Sequence, residues 1–294
     1  MHKKSYLDGF AYVFIATFLW GFIQVLYFKQ IDYVSPFEVV CHRGIWSFVC
    51  LLCLIIITKN FKNYLLIFKD RKKVFLLSIT GILVSSNWFF FILSVYLNKV
   101  QDASMGYFIS PIFSVIFGYI FLNEKISKIQ FASILLIIIA ILNLIINSNQ
   151  VPYIALSLAT TWSIYGLLRK KINVSSELGL LFEQTILLPI FFTIILVMSK
   201  LENAQLFFFY NNMNSLLLMG AGVVTVIPLF FFNLGVKKIP LNLSGLIFYF
   251  VPTLQFITAI LFLNEKISLL KTYSFIIIWF SVLLFIYESL KKEV

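Results

Sequence analysis

Long apolar runs separated by short polar stretches extend from residue 9 to residue 289 of the 294-residue chain. Most of these runs approach the roughly 20 residues that an α-helix needs to cross the hydrocarbon core of a bilayer. The runs are continuous and do not alternate with polar positions, which favours helices over the strands of a membrane barrel. The pattern predicts an all-α polytopic membrane protein with ten transmembrane helices, at about 9–28, 37–58, 74–94, 104–122, 129–147, 152–168, 178–198, 214–235, 242–263 and 270–289. The shorter stretch 61–68 is expected to lie at the membrane interface as one or two amphipathic turns.

The composition supports this class of protein. Hydrophobic residues make up 61% of the chain, charged residues make up 12%, and the mean hydropathy is +0.98. A soluble domain is about 45–50% apolar and about 25% charged. A soluble fold of this length has no interior large enough for so much apolar surface, so lipid must cover the excess.

Basic residues are distributed unevenly among the loops that ten spans would create. Seventeen Lys and Arg residues fall on the side of the two termini and five fall on the other side, with Arg43 left inside a span. Because cytoplasmic loops carry the excess of Lys and Arg, both termini are predicted in the cytoplasm and the chain in the cytoplasmic (inner) membrane. The net charge of +11 is therefore interpreted as a topology signal. The expected partners are the lipid bilayer and a small-molecule substrate, nucleic acid is not expected, and a homodimer is left open.

An internal repeat divides the chain into two halves. The heptapeptide FLNEKIS occurs at 121–127 and again at 262–268, an offset of 141 residues that also pairs Pro111 with Pro252. The repeat predicts one five-helix unit at 1–147 and a second at 148–294. Since five is odd, the second unit must enter the membrane inverted relative to the first, as in transporters that alternate between inward-open and outward-open states.

No metal or other cofactor is expected from the sequence. Cys41, Cys50 and Cys53 fall within one predicted helix, and His42 is the one potential ligand beside them. Because metal sites need several convergent ligands, these cysteines are interpreted as small apolar packing residues.

Ionisable residues inside predicted spans are functional candidates, because a charge in hydrocarbon costs several kcal/mol. His42 and Arg43 lie in span two with Glu38 one turn away, and Glu183 lies in span seven at the repeat position of His42. His42, Arg43 and Glu183 are predicted to act in gating or coupling. The competing hypotheses are that Arg43 extends toward the membrane surface and that Glu183 is a carboxylic acid bonded to a neighbouring helix.

Polar and aromatic residues of five spans are the predicted substrate-binding residues: Trp20, Gln24, Asn87, Trp88, Phe91, Tyr107, Ser110, Tyr165, Tyr249 and Gln255. They are expected to face a cavity lined by spans one, three, four, six, eight and nine. Pro111 and Pro252 each permit a kink at corresponding positions of the two halves, so both are predicted gating positions. Helix packing is the competing interpretation for the aromatic residues and for both prolines.

Several stretches in order along the chain resemble the RarD branch of the EamA family in the drug/metabolite transporter superfamily. They include HRGIWSF at 42–48, SNWFFFILSV at 86–95, DASMGYFISP at 102–111, IFLNEK at 120–125, YGLLRKK at 165–171, FEQTILLP at 182–189, AGVVTVIP at 221–228 and VPTLQF at 251–256. The resemblance implies ten helices, two EamA-type repeats and an inner-membrane permease. Asp102 departs from the pattern, which has Glu at this position; the change is conservative and lies at the end of a span. RarD proteins are linked by name to chloramphenicol sensitivity, which implies little about a substrate.

These observations predict a secondary transporter that moves a small metabolite or drug-like solute by alternating access. A channel and a membrane-embedded enzyme are the alternatives, with a scaffold as a third. The sequence contains no Walker-type loop, no His-Glu-x-x-His motif and no Gly-x-Ser-x-Gly motif, so neither ATP-driven pumping nor enzymatic activity is expected.

Overall fold

The computed structural model describes residues 2–122, 127–148, 151–200, 212–236, 238 and 247–291. Every regular element in this part of the chain is a helix. The first membrane helix consists of α1 (His2–Phe18), a π-helical turn (Leu19–Ile23) and α2 (Gln24–Lys29). The other helices are α3 (Pro36–Ile57), α4 (Phe61–Ile67), α5 (Arg71–Tyr96), α6 (Val100–Leu122), α7 (Lys128–Ser148), α8 (Tyr153–Lys171), α9 (Ser176–Lys200), α10 (Asn212–Val236), α11 (Phe250–Leu261) and α12 (Leu269–Lys291).

A helix occupies each predicted span, and α4 occupies the predicted interfacial stretch. Seven helices in the described residues are long and apolar enough to cross a membrane: Tyr6–Lys29, Pro36–Ile57, Arg71–Tyr96, Val100–Phe121, Lys128–Asn147, Ser176–Lys200 and Ser215–Gly235. Phe250–Leu261 and Leu269–Leu284 are apolar but shorter. Residues 123–126 of the first FLNEKIS loop and residues 242–246 of predicted span nine lie outside the described residues.

Local signals explain where several helices begin and end. Pro36 occupies the first turn of α3, where its missing N–H leaves no hydrogen bond unmade. Asp70 caps α5, because its side chain accepts hydrogen bonds from the Lys72 and Lys73 backbone nitrogens, both at 3.1 Å. Asn98 ends the same helix with a φ of 53°, in the left-handed region that asparagine tolerates well.

Most of the helix packing joins the first half of the sequence (α1–α7) to the second (α8–α12). α1 packs on α10, and α5 packs on α8. α3 packs on α9 and α10, and α5 also packs on α9. α6 packs on α8 and α11, the π-helical turn packs on α11, and α7 packs on α12. The two halves therefore form one interlocked helix bundle.

Small residues allow the closest of these helix contacts. Ser133 of α7 and Ser281 of α12 are fully buried and bonded reciprocally, since each hydroxyl donates to the other residue's carbonyl oxygen, at 3.2 and 2.9 Å. Ala140 of α7, seven residues after Ser133, is also fully buried, and so is Ser274 of α12, seven residues before Ser281. A strip of small residues that lets two helices approach is typical of helix pairs in membranes.

Large apolar side chains cover the outside of the bundle. Ile139, Ile146, Leu196 and Ile276 are each more than half exposed, at 53%, 69%, 60% and 53%. In a chain with this many long apolar helices, lipid is the environment that accommodates such a surface.

Candidate functional site

Arg43 of α3 is buried within the bundle, with 3% of its surface exposed. Its Nε donates a hydrogen bond to Thr225 Oγ1 of α10 at 2.8 Å. The guanidinium lies over the rings of Trp88 and Phe28, 4.4 and 5.1 Å from their centroids. Its Nη1 has no hydrogen-bond partner among the described residues. Cation–π attraction and one hydroxyl therefore hold this buried charge, and the donor Nη1 stays unused.

Asn87 and Tyr107 connect α5, α6 and α8. The Tyr107 hydroxyl donates to Asn87 Oδ1 at 3.0 Å, and Asn87 Nδ2 donates to Thr161 Oγ1 at 3.0 Å and to the Leu158 carbonyl at 3.2 Å. Tyr107 also lies within electrostatic range of Arg43. The hydrogen bonds fix the orientation of the Tyr107 ring beside the arginine.

Glu183 of α9 is fully buried and has several partners. Its Oε1 accepts a hydrogen bond from Thr80 at 2.7 Å, and its Oε2 accepts one from the Tyr165 hydroxyl at 3.4 Å. Arg169 Nη1 lies 3.8 Å from Oε1, a distance for an ion pair and too long for a hydrogen bond. Glu183 thus joins α9 to α5 and α8 and has its countercharge within the protein.

An aromatic wall connects the Arg43 and Glu183 clusters. The Trp162 ring stacks on Tyr165 at a centroid distance of 5.6 Å and on Phe248 at 6.2 Å. It meets the Tyr107 ring edge-on at 6.4 Å. Trp20 extends the wall, because its ring contacts Phe248 at 5.9 Å. These five rings form a continuous apolar wall in which some pairs are stacked and others meet edge-on. A buried cation lies near one end of the wall and a paired carboxylate near the other.

The predicted substrate-binding residues thus fall into two groups. The contacts above bring together Trp20, Asn87, Trp88, Tyr107 and Tyr165, and Phe91 packs edge-on against Phe28 at 6.1 Å, beneath the arginine. Ser110 instead serves helix packing, since its hydroxyl donates to the Gly106 carbonyl at 2.9 Å and its carbonyl accepts from Ser163 at 2.7 Å. Tyr249 stacks on Phe108 at 6.4 Å, in a separate apolar cluster.

The remaining predicted residues lie on α2, α3, α6 and α11. Gln24 and Gln255 are 5% and 2% exposed, and Nε2 of the first and Oε1 of the second make no hydrogen bond to described residues. Gln24 follows the π-helical turn, a feature often found at functional sites. His42 is buried in α3, one turn from buried Glu38.

The two prolines hold different helix positions. Pro252 lies in the first turn of α11, where it leaves no hydrogen bond unmade, and its carbonyl accepts a bond from Ser104 Oγ of α6 at 2.8 Å. Pro111 lies within α6, and its side chain is outside the described ones. Residues 247 and 248 are also helical and Tyr249 forms a turn before Phe250, so the helical path is interrupted three residues before Pro252. The gating role of both prolines stays a prediction.

Polar loop residues gather at the two ends of the bundle. At the end where α5 finishes, Glu265 accepts hydrogen bonds from the Val100 and Gln101 backbone nitrogens, at 2.6 and 3.1 Å, and Lys271 pairs with Asp102 at 2.8 Å. Burial raises the pKa of the Glu265 carboxyl, which the two backbone hydrogen bonds offset in part. At the end where α5 begins, Tyr64 bonds to Thr185 at 2.8 Å and Lys238 pairs with Asp8 at 3.7 Å.

Several residues of this site were not identifiable from the sequence. Thr225, Phe28, Trp162 and Phe248 do not differ in type from their many apolar and hydroxyl neighbours. Arg169 belongs to a basic cluster that is counted as a topology signal. The spacing of Trp162 and Tyr165, three residues apart on one helix face, is the one local signal for the aromatic wall.

Comparisons with known proteins place these features in context. The chain matches the EamA-like transporter family over residues 7–146. It is 35% identical to Protein RarD of Salmonella typhi over 294 residues, which cover 100% of this chain and 99% of that protein. It is 33% identical to Protein RarD of Escherichia coli (strain K12), covering 100% and 98% of the two chains. It is 30% identical to YojE of Bacillus subtilis (strain 168), described as an uncharacterized transporter, covering 99% and 97%.

The fold is also found in a solved crystal structure. It superposes on the chain with a TM-score of 0.58 at 16% sequence identity, covering 97% of this chain and 98% of that chain. At such low identity the likeness concerns the fold alone.

Proposed function

Because the chain belongs to the EamA-like transporter family as a RarD-like permease, we propose that it is a secondary transporter working by alternating access. It moves a small metabolite or drug-like solute across the cytoplasmic membrane without ATP. Membrane transport is the class of function that family membership gives, and the description of YojE also names a transporter. The mechanism and the kind of solute belong to the proposal.

The observation that carries the proposal is the buried charged and aromatic site within an apolar bundle. Arg43 and Glu183 belong to different halves of the sequence and are 3% and 0% exposed. Ionisable groups are rare in membrane-embedded helices, and those present commonly lie on the path of a solute or ion. A site built by both halves can be exposed to one side or the other when the halves move relative to each other.

The helix packing supports two inverted halves, 1–147 and 148–294. With the 141-residue offset, α1–α2 corresponds to α8, α3 to α9, α5 to α10, α6 to α11, and α7 to α12. Under this exchange the pair α1–α10 becomes α8–α5, and the pair α3–α10 becomes α9–α5, all of which pack together. In the pairs α3–α9, α6–α11 and α7–α12 the exchange swaps the two helices with each other, and these pairs also pack together. A two-fold relation between the halves accounts for this set of pairs.

The loop contacts support a topology with both termini in the cytoplasm. Residues predicted outside, such as Lys29, Asn98 and Glu265, contact other residues predicted outside. Residues predicted inside behave likewise, as in the Lys238–Asp8 pair. An even number of spans places the two termini on one side and accounts for the contacts among outside residues and among inside residues. The excess of basic residues on the side of the termini identifies that side as the cytoplasm.

Flux measurements in proteoliposomes test this proposal. The unchanged protein should give saturable flux that is stimulated by solute on the opposite side, whereas a channel would give unsaturable flux without exchange. Glu183→Gln should lower coupled flux by more than it lowers the yield of folded protein. Glu177→Gln, in the first turn of the same helix and only partly buried, is the matched control. Equal losses of flux and folded protein in Glu183→Gln would assign Glu183 to structure alone.

A further inference from the structure

The two buried charges of the site differ in how far the protein satisfies them. Glu183 accepts hydrogen bonds from Thr80 and Tyr165 and has Arg169 as its ion-pair partner. The contacts described for Arg43 are with a hydroxyl and two aromatic rings, all of them uncharged. The site therefore presents a satisfied anion and a cation that still has a donor to offer.

The geometry leaves the Nη1 donor of Arg43 available. The guanidinium is planar, and its N–H groups point outward in that plane, so contact of its faces with aromatic rings does not consume them. The central carbon of the guanidinium lies over the Trp88 and Phe28 rings, and Thr225 binds Nε. The Thr225 hydroxyl donates its own proton to the Ala221 carbonyl at 2.8 Å, which leaves its oxygen to accept from Arg43. The arginine is thus held in place with Nη1 unused.

An unused donor on a buried cation is costly unless a ligand completes it. Arginine binds carboxylates through parallel N–H···O bonds, a geometry that lysine cannot reproduce. The neighbouring wall of Tyr107, Trp162 and Phe248 offers flat apolar faces, on which an aromatic or similarly flat body can stack. A cationic solute would instead find the site's carboxylate already paired.

We propose that Arg43 is the anion-recognition residue of the substrate site, and that the solute is a monocarboxylate with a flat apolar body. The carboxylate accepts hydrogen bonds from Nη1 of the guanidinium, and the body lies against the aromatic wall. This inference rests on the transport function proposed above, for which it names the class of substrate.

A set of three matched probes tests the charge preference. 3-Phenylpropionate, 3-phenylpropionamide and 3-phenylpropylamine share one ring and one chain length, and they differ in carrying a negative, neutral or positive end group. In a thermal-shift assay of the purified protein, the carboxylate should raise the melting temperature more than the other two, since a bound ligand stabilises only the folded form. No shift with the carboxylate, or a shift no larger than that of the amide, overturns the proposal.

Variants of Arg43 and of its positioning residue assign the effect to the site. Arg43→Gln should weaken carboxylate binding by at least about tenfold, and Arg43→Lys should weaken it less. Thr225→Val keeps the charge and should cost about two- to tenfold. It carries the test if Arg43→Gln does not fold. Exposed Arg71 gives the matched control Arg71→Gln, which should bind as the unchanged protein does. Carboxylate binding that is unchanged in Arg43→Lys and Thr225→Val would overturn the assignment.

Flux separates failure of this inference from failure of the proposed function. Counterflow of the carboxylate that is equal in Arg43→Gln and the unchanged protein would leave transport in place and overturn the anion site. Flux of all three probes and of further solutes no faster than in protein-free liposomes would overturn the transport proposal itself.

Discussion

Replacing Gly222 with alanine tests the closest approach between α3 and α10. Gly222 is buried where the two helices cross, and a Cβ added there would meet the Trp46 backbone and lie 2.6 Å from the Ser47 nitrogen. Gly81, its counterpart at the 141-residue offset, faces α9 with more room, because a Cβ would lie 3.2 Å from the Glu183 carbonyl oxygen. Gly166 of α8 is exposed, and a Cβ there would meet nothing within 4 Å.

The three positions should give a graded series of stabilities. Alanine gains up to about 1 kcal/mol over glycine within a helix, and overpacking a close contact costs about 1–3 kcal/mol. Gly166→Ala should therefore stabilise the protein by up to about 1 kcal/mol. Gly81→Ala should change little, because the neighbour must move by only a few tenths of an ångström. Gly222→Ala forces two backbones apart and should destabilise by up to about 2 kcal/mol after a helix gain of about 1 kcal/mol is subtracted.

The free energy of unfolding can be measured for each variant by titrating the protein in mixed micelles with a denaturing detergent and following circular dichroism. The order Gly166→Ala above Gly81→Ala above Gly222→Ala is expected. A Gly222→Ala protein as stable as Gly166→Ala would refute the close crossing of α3 and α10, and with it the positioning of Thr225 beside Arg43.

Three further predictions concern single contacts. Lys59 has a φ of 56°, a left-handed conformation that costs a residue with a side chain about 1 kcal/mol or more. Lys59→Gly should therefore raise the free energy of unfolding by about that amount, and a loss of stability would contradict the prediction. Ser133→Ala and Ser281→Ala should each destabilise by about 0.6 kcal/mol, and the effects should add because each hydroxyl bonds to a carbonyl and not to the other hydroxyl; strong coupling in a double-mutant cycle would contradict this. The pKa of Glu265 is raised in its buried position above the ordinary 4.5, so the closed contact binds protons more readily than an open one. The contact of Glu265 with the Val100 and Gln101 amides should be most stable at acid pH, and it should weaken as pH rises through the raised pKa. Hydrogen exchange of the Val100 amide, corrected for its intrinsic pH dependence, should speed up over that range, and Glu265→Gln should remove the effect.

The positions of the helices follow from the sequence because lipid imposes a simple rule on it. Each span must be apolar over about 20 residues, so hydropathy alone places a helix in every predicted segment. The boundaries shift by a few residues where a cap decides them. α5 begins at Arg71 and not at 74 because Asp70 binds the first free backbone nitrogens. In predicted span nine, a turn at Tyr249 separates helical residues 247 and 248 from α11, and Pro252 lies in the first turn of α11.

The site could be predicted in part, for a different physical reason. Arg43 and Glu183 are conspicuous because charge is rare in apolar spans, and the structure places both in buried contact networks. Their partners cannot be found in this way, since Thr225 lies 182 residues from Arg43 along the chain and only tertiary packing brings the two together. Ser110 shows the converse, because a polar residue in a span can be fully used by its own and a neighbouring helix.

The labelling of two equivalent positions tests the two inverted halves most directly. Lys128 begins α7 and Leu269 begins α12; the two are 141 residues apart, and both are exposed. In a protein with Cys41, Cys50 and Cys53 replaced, single cysteines at these positions can be treated with a membrane-impermeant maleimide in intact cells. We expect Leu269→Cys to be labelled from outside and Lys128→Cys to be labelled only after the membrane is opened. Labelling of both positions from the same side would contradict the inverted arrangement and the alternating-access mechanism built on it.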